Sequence, residues 1–418
     1  MLAAITGALT GLAVVAFEWV TVDVLLEHVR ELPDGILIVI PAAGLIAAWV
    51  TLRWLGAGAT PAVADEYLRE YHGHPGRSDV RAFAARIVAS MATLGSGGAM
   101  GFEGPSIYLG SSIGARLQTR YQRFFTDKDT HVLLVAGAAA GVAAIFKAPA
   151  TGAVFALEVP YQQDTASHAV LPALIGSAAS YLVFAAFKGT SPLLHIAGNP
   201  GFDARDLLGA LALGVACGIG ARGFARLAAR AKRFRGTAPA WLTVGIGGLG
   251  LVAIGAVALG AFGEALTVGP GYQAISWSLD PGRATELVAL LLVLEAVATL
   301  ATLVGGGVGG LFIPLVVQGW LLGRVVEGVV GTGTSLFAVV GAAAYLGAGY
   351  RTPIAAVVFV TEASRGPGFI VPALLATAVA QLLMGTASVA SHQLVERGDY
   401  PTSSVPRSDE PNGGDDVS

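Results

Sequence analysis

The chain has 418 residues, of which 54% are hydrophobic and 13% charged, and a mean hydropathy of +0.68. Soluble domains carry roughly 25% charged residues, so a soluble fold is excluded and an all-α polytopic membrane protein is expected in the lipid bilayer. A net charge of −3 with one cysteine, Cys217 in an apolar run, excludes an internal disulfide and gives no basis for redox chemistry.

Residues 2–26 form the first apolar run, and without a basic lead they read as a retained span rather than a removable leader. Residues 36–55, 169–187, 204–221, 241–262 and 284–304 also approach the about 20 residues that cross hydrocarbon. Shorter runs at 103–115, 132–146, 148–160, 335–349 and 352–363 read as partial or re-entrant helices, tolerated where protein or a polar cavity satisfies their backbone ends. The segment Gly56-Ala57-Gly58-Ala59-Thr60-Pro61 is one Gly/Pro break between such runs. His72-Gly73-His74 follows in a polar stretch read as a loop, not as a metal site. Six bases and no acid lie between Arg222 and Arg235, which places that connection in the cytoplasm; its apolar flanks argue against nucleic acid as a partner. Glu295 sits inside an apolar run and is expected either to pair with a base or to face water inside the protein on a proton route, pairing being the favoured reading. The acidic, Pro/Gly-containing residues 396–418 read as a disordered cytoplasmic tail.

Candidate chemistry concentrates at Gly101-Phe102-Glu103-Gly104-Pro105, which follows Gly95-Ser96-Gly97-Gly98. Pro105 suits the first turn of a helix, whose unpaired N–H groups and positive dipole end favour an anion. Glu103 stands at that end, and an ionisable side chain at such depth reads as functional. Gly309-Gly310-Leu311-Phe312-Ile313-Pro314 offers a second such terminus without an acid. No phosphate-binding Walker loop supports ATP-driven pumping, no protease signature is complete, and no enzyme activity or cofactor is expected.

The chain is internally duplicated. Phe146-Lys147-Ala148-Pro149 leading to Phe155 and Glu158 matches Tyr350-Arg351-Thr352-Pro353 leading to Phe359 and Glu362, 204 residues later. Repeated apolar halves with Gly/Pro interruptions mark transporter folds whose broken helices meet near the bilayer midplane. The halves are expected at 1–190 and 191–395.

These residues resemble the CLC family of chloride channels and proton-coupled anion transporters. Gly101-Phe102-Glu103-Gly104-Pro105 is similar to its GREGP motif, and Phe146-Lys147-Ala148-Pro149 to FNAP. Gly309-Gly310-Leu311-Phe312-Ile313-Pro314 is similar to GGIFAP, and Arg351-Thr352-Pro353 with Glu362 to the RAPLTG segment. The resemblance implies about eighteen helical segments in two inverted halves, a homodimer in the cell membrane, and a small anion, chloride first, as the transported ligand. It makes Glu103 the gate. It places anion-binding backbone at Gly101, Phe102, Gly104, Leu311, Phe312 and Ile313, and at Ala57 or Gly58.

Four departures stand out. No serine occupies residues 56–61, and the usual inner tyrosine falls near Val389, so a central anion is expected to lose both hydroxyl donors and depend on backbone amides, with Thr60 a further candidate. Val159 replaces the second acid of the pair begun by Glu158. Phe102 replaces the Arg of GREGP, and Lys147 the Asn of FNAP, making Lys147 either a pathway residue or a structural partner. Two readings stay open: passive voltage- or pH-gated conduction through a pore gated by Glu103, which Val159 favours, and proton/chloride antiport using Glu103 with Glu158 as a possible relay.

Overall fold

The computed structural model describes residues 1–73, 79–125, 131–194, 196, 201–280, 282–330 and 335–396. His74 and residues 397–418 of the expected tail lie outside them. Among the described residues there are eighteen α-helical segments, and extended pairing is confined to two isolated bridges. Eight helices among the described residues are long and apolar enough to cross a membrane: Leu2–Arg30, Asp34–Trp54, Ser167–Lys188, Ala204–Thr237, Ala240–Phe262, Thr285–Val304, Phe312–Val330 and Pro367–Met384.

One span differs from its sequence reading. Residues 204–221 and the base-rich connection after them form a single 34-residue helix, Ala204–Thr237. Its start is set by Asp203, whose side chain accepts from Asp206 N while Asp206 accepts from Asp203 N. Ala, Leu, Arg and Lys are all good helix formers, so nothing in the basic stretch stops it. At 1.5 Å per residue it reaches about 50 Å, beyond the about 30 Å of hydrocarbon. The six bases therefore ride a helical extension instead of a loop.

The duplicated segments fold alike. Val132–Phe146 and Leu336–Tyr350 are buried along their whole length. Each packs against a neighbour at paired glycines: a Cβ on Gly110 would fall 2.0 Å from the Gly137 carbonyl oxygen, and one on Gly319 2.2 Å from that of Gly341. Backbones this close admit no side chain, which is how membrane helices gain packing without a hydrophobic driving force.

Each buried helix ends at a left-handed base, Lys147 (φ 53°) or Arg351 (φ 58°), before Pro149 or Pro353 starts the next helix. A left-handed non-glycine residue costs about 1–2 kcal/mol, and both side chains donate to a carbonyl near another helix end. Lys147 Nζ reaches Lys188 O at 3.2 Å, and Arg351 Nη1 reaches Gly385 O. The duplicated acids cap crosswise. Glu158 accepts from the Ile354 and Ala355 amides at 3.2 and 2.9 Å. Glu362 accepts from the Ala150 and Thr151 amides at 3.0 and 2.7 Å. Each half thus satisfies orphan donors of a helix in the other, about 1 kcal/mol per cap.

Candidate anion site

Two helix N-termini meet inside the protein. Gly101 and Gly310 form an antiparallel bridge, with N–H···O distances of 2.9 and 2.8 Å in the two directions. Immediately after it start the helices Glu103–Arg120 and Phe312–Val330. Glycine at both bridge positions leaves space for one carboxylate. A Cβ on Gly101 would lie 1.9 Å from Glu103 Oε2, and a Cβ on Gly310 1.9 Å from Glu103 Oε1.

Glu103 is 0% exposed. Its Oε1 accepts from the Phe312 backbone N–H at 2.6 Å, a bond between the two halves of the chain. The backbone amides of Ile313 and of Glu103 itself face the same carboxylate. Oε2 has no hydrogen-bond partner among the described residues. Phe312 stacks within a buried aromatic group, its ring centroid 4.5 Å from Phe146, 4.8 Å from Phe359 and 5.4 Å from Phe155. In these dry surroundings a carboxylate at a backbone donor is held strongly. An anion seeking the Phe312 N–H must displace it.

On the other side of Leu311 lies a small recess lined by Pro61, Asp65, Met100, Lys232, Arg235, Tyr350 and Val389 among others. Lys232 is held by Asp65 at 2.7 Å, Ser391 Oγ at 2.8 Å and Val389 O at 3.0 Å. Asp65, which also lines the recess, offsets the Lys232 charge, so Arg235 supplies the excess positive charge that draws small anions toward the Leu311 end.

The structure brings together Glu103, Gly101, Phe102, Gly104, Leu311, Phe312 and Ile313. Gly101 contributes room rather than a donor, because its N–H is committed to Gly310. Ala57 and Gly58 are not at this seat: both are exposed, with left-handed backbone (φ 49° and 83°). Gly58 and Thr60 line a neighbouring recess beside Arg53 and Arg235, and Thr60 Oγ1 accepts from Arg86 at 3.3 Å. Pro61 and the residues after it, up to Asp65, line the recess beside Leu311 instead. Lys147 lies away from the recess, next to Lys188, which pairs with Glu18 and with Asp23 (2.6 Å). Glu158 is occupied as a helix cap. Glu295 is buried, and no base pairs with it among the described residues, contrary to the expected pairing; its Oε1 has no partner.

A hydroxyl that comes from neither of the two positions expected to lack one stands at this recess. Tyr350 Oη accepts from the Leu311 N–H at 3.4 Å, and Tyr350 lines the same recess as Val389. Among the described residues no acceptor takes its hydroxyl hydrogen, which is therefore available to a ligand in the recess. The duplication held the signal: Tyr350 is the hydroxyl-bearing counterpart of Phe146, and Phe146 already touches Phe312.

A family model described as voltage gated chloride channel matches residues 43–385. The chain is 27% identical to the H(+)/Cl(-) exchange transporter ClcA of Salmonella arizonae, over 92% of this chain and 86% of that protein. It is 28% identical to the protein of the same name from Salmonella typhi, covering 92% and 85%. Its fold is similar to a slow cyanobacterial Cl-/H+ antiporter (TM-score 0.81, 20% identity, 92% and 93% covered). It is also similar in fold to a CLC-type fluoride/proton antiporter (TM-score 0.77, 22% identity, 94% and 97% covered). Motifs, broken-helix geometry and a family match over most of the length agree: the chain belongs to the CLC family of voltage gated chloride channels and transporters.

Proposed function

We propose that this protein exchanges protons for chloride, or a similar small anion, across the membrane, with Glu103 as the shared element of both paths. The observation that carries the reading is the 2.6 Å bond from Phe312 N–H to Glu103 Oε1. A carboxylate and a halide want the same donors. Protonation weakens the carboxylate's hold, the anion takes its place, and the displaced acid carries the proton. The recess side offers the anion the Tyr350 hydroxyl, which already accepts from the Leu311 N–H, with Lys232 and Arg235 at its wall. The relatives at 27–28% identity are named exchangers, which supports exchange over the passive conduction that Val159 suggested. Glu158 serves this reading as a cap rather than a relay.

In sealed vesicles containing the protein, an outward chloride gradient with no initial proton gradient is expected to drive protons inward. Chloride efflux with a flat internal pH would return the protein to passive conduction.

A further inference from the structure

Val159 occupies the place where the resemblance expects a second, proton-carrying acid. The residues packed around Val159 are unusual. Helix Ala64–His72 brings Tyr67, Tyr71 and His72 there, His131 precedes the helix Val132–Phe146, and Tyr161 and His168 follow Val159 closely. Around the Tyr71 ring, centroid distances are 5.0 Å to His72, 5.7 Å to His131, 5.9 Å to Tyr161 and 6.5 Å to His168. The His72 ring also sits 5.3 Å from Tyr161, and its Nε2 lies 2.9 Å from the Pro160 carbonyl oxygen, to which it donates.

The group is graded in depth. His168 is exposed, His72 and His131 are half-buried, and Tyr71, Tyr161 and Tyr67 are buried. Tyr161 Oη lies 3.5 Å from Tyr71 Oη, and Tyr67 Oη donates to Ala156 O at 2.8 Å, one residue from the Phe155 ring that packs on Phe312 and Tyr350. Gln393 Nε2 joins the same region to the anion site, donating to Val159 O and to Tyr350 O, both at 3.0 Å. The face is the cytoplasmic one, since Asp65 on the Tyr71 helix binds Lys232 of the basic extension. Packing alone would be met by phenylalanine and leucine; three imidazoles are the side chains that change charge near neutral pH.

We infer that His72, His131 and His168, arranged around Tyr71 and Tyr161, form the cytoplasmic proton-loading site that replaces the acid absent at Val159. An imidazole takes a proton from cytoplasmic water, passes it inward past the buried tyrosines, and returns to its neutral form; one proton moves and no bond to carbon changes. Burial lowers the pKa of His72 from its usual value, with His392 acting in the same direction and the Pro160 carbonyl opposing. That favours the neutral form of the ring. Among the other titratable and charged groups nearby, Glu66 pairs with Arg69 and with Arg86 (3.4 Å), Glu158 caps Ile354 and Ala355, and Glu70, on the same helix as Tyr71, is buried with no partner for its Oε2 among the described residues.

This inference rests on the exchange reading, and the test separates the two. In vesicles, the triple variant His72→Phe, His131→Phe, His168→Phe is compared with wild type for chloride-driven proton uptake and for chloride efflux. The expected result is a proton-to-chloride ratio lowered about tenfold or more. Adding Val159→Glu to the triple variant is expected to restore the ratio, which a purely structural role for the histidines would not produce. Should the triple variant pass no chloride, the three single replacements are read in its place, and an unchanged ratio in all of them overturns the inference. A wild-type protein that moves protons, with a triple variant that moves them equally well, overturns the loading site and leaves exchange standing. A wild-type protein that moves none overturns exchange itself, and the loading site with it.

Discussion

Glu103→Gln is expected to raise apparent anion affinity about tenfold, to flatten its pH dependence and to abolish chloride-driven proton movement. The carboxylate at Phe312 N–H is a charge-assisted acceptor, worth about 1.5–3 kcal/mol against 0.5–1.5 kcal/mol for a neutral one. The difference, about 1.4 kcal/mol, is the factor of ten. In wild type the competitor weakens as pH falls and the carboxylate takes a proton, so anion flux rises toward acid pH. Glutamine has no such proton, and its flux should not vary with pH through this group. Chloride efflux and internal pH, recorded on the same vesicles, check all three effects.

Gly310→Ala is expected to act in the opposite direction. The added methyl would lie 1.9 Å from Glu103 Oε1 and 2.2 Å from its carboxyl carbon, far inside contact distance. It therefore takes the volume that carboxylate and anion share, at an overpacking cost of about 1–3 kcal/mol. Chloride efflux should fall about tenfold. Because the obstruction does not depend on the carboxylate's charge, the double variant with Glu103→Gln should stay low instead of recovering. Efflux from vesicles loaded with protein checked for a single folded species by size exclusion gives the measurement. If Gly310→Ala passed chloride as freely as Glu103→Gln alone, the seat would lie elsewhere.

Much of this architecture was legible in the residues. The duplication around Pro149 and Pro353 foretold the paired helices, because a proline in the first turn and a base before it impose the same local geometry wherever they occur. The Gly-rich approaches to Glu103 and Phe312 foretold the meeting of two N-termini, since only glycine leaves room for the carboxylate there. The extent of Ala204–Thr237 was not legible, because basic residues mark topology without marking the end of a helix. Tyr350 was missed because the search for a hydroxyl followed position along the chain toward Val389, while packing delivers one from a neighbouring helix. The place of Ala57 and Gly58 away from the seat depends on how a loop closes, which spacing alone does not determine. The partner expected for Glu295 failed for a similar reason: a carboxyl inside an apolar helix makes a partner desirable, but only packing decides whether one is there.

Calorimetric titration of the detergent-solubilised protein with chloride, in two buffers that differ in ionisation enthalpy, puts the competition for the Phe312 amide to its most direct test. If an entering halide evicts the Glu103 carboxylate, the freed acid must bind hydrogen ion, by the reciprocity that links two ligands of one site. The account predicts uptake approaching about one proton per chloride in wild type as pH is lowered toward the acid's titration, and none in Glu103→Gln. Equal heats in both buffers for the wild-type protein, with chloride bound, would contradict it.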